Sequence, residues 1–297
     1  MIRPRQRMVV TGREGQVVTS LVERAAEGER FEVIAVGRPE FDLARPETIE
    51  APLRHARPDV IVSAAAYTAV DAAERDEEAA TIVNGTSAGK IALTAASLGI
   101  PVIHLSTDYV FDGSKSSPYS EADPVAPIGA YGRSKLAGEK AVARAHPNHV
   151  ILRTAWVYSP FGKNFLKTML KAAEARDSLN VVDDQVGNPT SALDIADTLL
   201  TVASNLLDSN DRRLRGIFHM TAQGEASWAD FAEEIFAVSG ARGGPSASVG
   251  RILSSAYPTP AKRPANSRLD CQKLADTYGL VLPRWQDSIA AVVSRLI

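Results

Sequence analysis

The sequence predicts an α/β fold: a doubly wound parallel sheet with a smaller carboxy-terminal lobe. Three observations predict it. Short, nearly continuous apolar runs alternate with helical stretches through the first two thirds of the chain, as they do where crossover helices cover both faces of a sheet. A glycine turn, TGREG, lies directly between the first apolar run and the first helix. From Ala241 onward the regularity lapses into ARGGPSAS and AYPTPAKRPANSRLD, loops rich in Gly, Ser and Pro.

In order, residues 7–10 read as a buried strand and 19–26 as a helix. Residues 31–36 form a second strand, 46–56 a helix, 59–63 a third strand and 77–98 a long alanine-rich helix. The strand at 100–105 delivers Ser106 and Thr107 at its carboxyl end. Then follow a helix from Ser134 to Arg144, a strand at 150–154, a helix at 164–175, an extended 179–182, a helix at 191–207 and a strand at 217–220. Ser227 is placed to cap a helix over 228–238, and 285–297 reads as a closing amphipathic helix. The expected division is a first unit over 1–160, continued in part by 190–220, and a lobe made mainly of 161–297, interleaved with it.

The bulk properties exclude several classes. Of 297 residues, 45% are hydrophobic and 23% charged, ordinary for a soluble globular protein. A net charge of -2 gathers neither nucleic acid nor an anionic membrane. Cys271 is the only cysteine, so an internal disulfide and a multi-cysteine zinc site are both excluded. The basic amino terminus has too short an apolar run for a signal peptide, and no run of about 18 apolar residues could span a bilayer. The expectation is a cytoplasmic protein with no nucleic-acid or membrane partner and no metal.

Gly12 and Gly15 stand where backbone amides and a helix amino end would face a pyrophosphate, with Gln16 and Val17 opening the helix beside them. This makes the sheet Rossmann-type and the first unit a dinucleotide-binding one. Val18 occupies the place of a third glycine, which predicts wider helix-sheet spacing. At the end of the second strand stands Arg38, where an acid would hold the 2'-hydroxyl of NAD. A guanidinium favours a 2'-phosphate, so NADPH is expected ahead of NADH. Asp42 and Leu43 follow at a distance suited to the adenine.

Further on, Tyr131 and Lys135 lie four apart and so share a helical face. A cation beside a phenol lowers its pKa, and a phenol so tuned exchanges a proton near neutral pH. Thr107 brings a hydroxyl to the same edge.

A glycine turn, SAAAYTAVD, STDYVFDG, YGRSKLAGEK, LRTAWVY, DDQVGNPT and RPANSRLD, in that order, resemble the extended short-chain dehydrogenase/reductases, and among them those that reduce dTDP-4-dehydro-L-rhamnose at its C4 ketone. The resemblance implies that Tyr131 protonates the C4 oxygen, that Lys135 binds the nicotinamide ribose and depresses the tyrosine pKa, and that Thr107 donates a hydrogen bond to the carbonyl. It further implies cofactor contacts at Ala64, Ala65 and Tyr67, and a nucleotide-sugar substrate held by Tyr109, Trp156, Asn164, Asn188, Trp228, Arg263 and Arg268 in a substrate-binding carboxy-terminal lobe. Asn84 is a further candidate, for ordering a relay water. Some members hold magnesium between subunits through a glutamate on the first helix. Ser20 stands there, so a homodimer, if one forms, is expected not to depend on magnesium. A 6-deoxytalose product, another sugar-nucleotide epimerase and a non-catalytic NADP-binding subunit stay open, whereas Tyr109 in place of an acid argues against a dehydratase.

Overall fold

The computed structural model describes residues 5–297; the first four residues of the expected 1–160 unit lie outside the described residues. Six strands, β1 (Gln6–Thr11), β2 (Phe31–Val36), β3 (Val60–Ser63), β4 (Val102–Thr107), β5 (His149–Thr154) and β6 (Gly216–His219), form one sheet in the order β6-β5-β4-β3-β1-β2. Every pairing in it is parallel. The chain winds one way from β1 to β2 and the other way from β3 onward, so the switch falls between β1 and β3. Ligands collect in the crevice outside the carboxyl ends at such a point.

Alternation along the strands builds two cores. Met8 and Val10 of β1, with Val62, Ile103 and Leu152, bury α1 (Gln16–Ala26) on one face. Val9 turns the other way and, with Ile61 and Ile151, buries α2 (Ser87–Leu98) and Val142 of α3 (Ala130–Ala145). α4 (Phe165–Ala173) belongs to the lobe, and α5 (Ala192–Asp208) joins α1 on the first face. A third core, around Tyr158, Leu166, Phe231, Ile235 and Ile289, gathers α4, α6 (Trp228–Gly240) and α7 (Trp285–Val293). Ser227 caps α6 in a reciprocal capping box with Asp230.

Four departures from the sequence reading stand out. The long helix at 77–98 is broken by a π turn, Ile82–Thr86, that contains Asn84. α3 starts at Ala130, which places Tyr131 inside its first turn. The loop region holds a strand, Ser248–Ile252, paired parallel with Ser178–Val182, and a helix, Gln272–Tyr278. That strand is half exposed and lacks strict apolar alternation, and the helix is only seven residues long. Finally, α7 ends at Val293, short of the expected 297. Among the described residues no helix is long and apolar enough to cross a membrane.

Candidate active site

At the carboxyl edge of the sheet a cleft of about 470 Å³ runs between the glycine turn and α3, with Gly15, Gln16, Val17, Ala64, Ser106, Tyr131, Lys135 and Thr154 on its walls. It shares Gly12 and Ala65 with a cavity of about 570 Å³ toward β2, where Arg38, Asp42, Leu43 and Tyr67 stand. Gly12 has φ +105°, and a Cβ there would lie 3.1 Å from Val18 and 3.4 Å from Ala65. Only glycine takes that conformation readily. Val18 is buried in the first core and fills the space above Gly12, so the missing third glycine is answered by packing. Ala64 and Ala65 are fixed through their backbone N–H groups, both donating to Thr11 Oγ1 at 3.0 Å. Arg13 pairs with Glu40, while Arg38 makes no ion pair among the described residues and faces the cavity. A glycine cradle, Arg38 without a partner, and the buried, unpartnered Thr154 Oγ1 on the cleft wall fit a phosphorylated dinucleotide.

Tyr131 and Lys135 meet in this cleft, but not as the sequence suggests. Lys135 Nζ donates to Leu105 O at 2.6 Å and approaches His104 Nε2 at 3.5 Å. An ammonium has no lone pair, so the His104 proton sits on Nδ1, 3.0 Å from Ser63 Oγ. Burial lowers Lys135 to about 8, with Glu139 opposing the fall. Tyr131 is not tuned downward. Burial pushes it up to about 12, the Thr107 side chain eases that rise, and the charge of Asp108 adds to it. The expected depression of the phenol by Lys135 is therefore absent in this structure, because the ammonium is turned under β4.

Beneath these groups lies a buried network. Ser106 Oγ donates to Glu139 at 2.6 Å, and Arg153 grips the same carboxylate through two hydrogen bonds of 2.9 and 2.7 Å. It joins β4, β5 and α3 directly under the cleft. Asn84 is buried in its π turn and holds Tyr67 N and O and the Ser134 hydroxyl. It braces the cleft wall.

On the far side of Tyr131, a cavity of about 490 Å³ is lined by Asp71, Tyr109, Phe165, Trp228, Tyr257 and Arg263, among others. Tyr109 packs edge-on against Tyr131 with centroids 5.8 Å apart. Trp156 stacks flat on Trp228 at 3.5 Å and 4°. Its φ of +46° is a left-handed conformation imposed on a bulky residue. Gly187 permits this, since a Cβ there would lie 2.5 Å from the indole. Arg263 pairs with Asp71 at 2.9 Å.

Three residues expected on the substrate side are not brought there. The side-chain amide of Asn164 caps α4 and bonds Gln16, Ser159 and Phe161. Asn188 ties Gly224 O to Leu269 N. Arg268 is held by Asn266, Glu225 and Ser116 O. All three brace loops because their polar atoms already have partners within the chain. Ser20 is likewise fully buried in α1, so it faces the core and not a subunit surface. Among the described residues no cluster of three or more His, Cys, Asp or Glu could hold a metal.

Residues 6–297 match the family described as the RmlD substrate binding domain. A dTDP-4-dehydrorhamnose reductase of Sinorhizobium fredii is 52% identical over 98% of this chain and 98% of its own. The chain belongs to the dTDP-4-dehydrorhamnose reductase family. Solved members of that family superpose closely. The one from Clostridium acetobutylicum has a TM-score of 0.90 at 35% identity over 98% of this chain and 99% of its own. The one from Bacillus anthracis, in complex with NADP, has a TM-score of 0.90 at 30% identity over 97% and 98%. With the family established, Asp71, Asp108, Tyr257 and Thr259 are the side chains at or beside the site that sequence reasoning passed over. Asp71 and Asp108 lay inside the TAVD and STDYVFDG motifs, so a signal was present. Tyr257 and Thr259 sit in a proline-rich loop with no pattern to read.

Proposed function

We propose that the protein reduces the C4 ketone of dTDP-4-dehydro-L-rhamnose to dTDP-L-rhamnose, with NADPH as the preferred reductant and NADH still usable. The observation that carries this reading is the meeting of Tyr131 and Lys135 in one cleft at the carboxyl end of β4, which Thr107 closes, between a dinucleotide cradle and a cavity lined by Trp228 and Arg263. The division of labour belongs to the proposal: 1–160 with part of 190–220 serves the cofactor, and most of 161–297 the sugar nucleotide.

When bound, the cofactor supplies a hydride to C4. Gly12, Gly15 and the amino end of α1 would hold its pyrophosphate, Arg38 its 2'-phosphate, and Lys135 the ribose beside the nicotinamide. The chain's own contribution is the proton. A phenol held at about 12 is fully protonated at neutral pH and sits ready to give its proton to the oxygen that gains charge. Lys135, turned from Leu105 toward the ribose, would then bear on the phenolate that remains. Trp228 and Tyr109 keep water from the sugar face, and Arg263 exchanges Asp71 for a substrate phosphate.

Incubation with dTDP-4-dehydro-L-rhamnose and NADPH, with NMR of the product sugar, tests the reading and reads the C4 configuration. Absence of NADPH oxidation would remove it.

A further inference from the structure

Gln16, the first residue of α1, lines the cofactor cleft but directs its carboxamide elsewhere. Its Oε1 accepts from Ser159 Oγ at 2.8 Å and from Asn164 Nδ2 at 2.9 Å, and its Nε2 donates to Val157 O at 3.3 Å. The Ser159 proton has one other acceptor, Phe161 O, which is farther away at 3.0 Å. Asn164 Nδ2 also donates to Ser159 O at 2.8 Å, so the atom it meets on Gln16 is the oxygen. A carboxamide oxygen has two acceptor positions, and its nitrogen two protons. Both acceptor positions are filled, and one N–H of Gln16 is left for a ligand.

These partners belong to a loop at 157–164 that borders both halves of the site. Val157, Gly162 and Lys163 line the cofactor cleft, whereas Phe165, Thr168 and Met169 of α4 line the second cavity. Asn164 is the joint between them: its Oδ1 accepts from Lys167 N at 3.1 Å and caps α4, and its backbone O accepts from Thr168 N at 3.0 Å. Phe165 in turn packs on Trp228, with centroids 4.7 Å apart. Gly162, at φ +60°, brings the loop down on Gln16, and a Cβ there would lie 3.3 Å from Gln16 Cγ. The other side-chain hydrogen bonds to 159–164 come from the loop itself or from Lys167 and Thr168 of α4. Among the described residues, Gln16 is therefore the side chain from outside that holds this segment by hydrogen bonds.

We propose that Gln16 is a positioning residue for the sugar side of the site: its backbone stays in the dinucleotide cradle, while its carboxamide, through Asn164, sets where α4 begins and hence where Phe165, Thr168 and Met169 stand in the second cavity. This rests on the reading of that cavity as the sugar-nucleotide side. A residue that the glycine turn allots to the cofactor thus acts on the other ligand, and loss of its carboxamide weakens the sugar nucleotide ahead of NADPH.

The test uses the full chain as Gln16→Ala, Asn164→Ala and the double variant, with Gln16→Met to keep the length of the side chain without its hydrogen bonds. On NADP-saturated protein without sugar, hydrogen-deuterium exchange read by mass spectrometry should speed up over 164–169 in Gln16→Ala and Gln16→Met. The NADPH Kd, from fluorescence titration, should stay within about twofold of the parent. With the sugar nucleotide added, KM should rise about fivefold or more and kcat should fall by less, as expected when a partly buried hydrogen-bond partner is lost away from the reacting atoms. The double variant should be no worse than Asn164→Ala, because both changes act through one bond. A raised NADPH Kd with exchange over 164–169 unchanged would make Gln16 a cofactor ligand and overturn the proposal, as would full additivity of the two substitutions. The exchange and NADPH measurements involve no sugar. If they come out as expected and dTDP-4-dehydro-L-rhamnose is not turned over, the substrate is refuted and the hold of Gln16 on α4 stands.

Discussion

The two sides of the cleft are built on different principles. The cofactor side consists of backbone and small side chains on the sheet edge: Gly12 in a left-handed turn, Ala64 and Ala65 anchored on Thr11, and Val18 packed into the core. The side proposed for the sugar consists of large side chains on loops and at the first turns of α4 and α6, with its charged pair satisfied inside the chain. Asp71 neutralises Arg263, the charged pair on that cavity's wall. The first side is preformed and loses little on binding. The second has to exchange partners, so its affinity is a difference between two sets of ion pairs. Tyr131 stands on the boundary between them.

The most damaging way to break the comparison is at that boundary. Tyr131→Phe should reduce turnover by about 10²- to 10⁴-fold while NADPH binding, followed by fluorescence titration, survives. Loss of both together would mean that the phenol supports the cofactor side instead. Glu139→Ala strikes below it, leaving Arg153 buried without its carboxylate. Denaturant unfolding should show a loss of about 3–5 kcal/mol, the usual cost of breaking a buried pair from one end.

Gly12→Ala probes preformation. A side chain forced to φ +105° costs about 1–3 kcal/mol, so NADPH affinity should fall about tenfold or more with the sugar-nucleotide KM unchanged. Arg263→Gln should do the opposite, raising the sugar-nucleotide KM about tenfold and sparing NADPH. Equal effects of both variants on both ligands would erase the distinction between the sides.

The smallest effect is a pH dependence. Lys135 is lowered to about 8, so its ammonium is present below that pH and lost as pH rises through it. NADPH affinity should weaken a few-fold from pH 7 to 9, and Lys135→Met should flatten that slope. A slope that persists in the variant would assign it to another group.

The cofactor side was the more legible of the two because its signals are local. Strands, the glycine turn and Arg38 all lie within the first forty residues and repeat a pattern that sheet geometry imposes. On the other side, motifs pointed to Tyr109 and Arg263, which line the second cavity, and to Trp156, which stacks on Trp228 at its wall, yet the same motifs pointed to Asn188 and Arg268, which brace loops. Nothing in a motif tells whether a polar side chain faces a ligand or another loop.

By itself, then, the sequence determined the alternating parallel fold, the cradle at the end of β1, and the shared helical face of Tyr131 and Lys135. These follow from period, spacing and the conformational freedom of glycine, which are properties of short segments. Only the tertiary structure decided which way Lys135 turns, that Tyr131 is held in its acid form, and that the Gln16 carboxamide holds the loop ahead of α4. Those outcomes depend on burial and on which partners lie within about 3 Å, and packing between distant segments sets the burial.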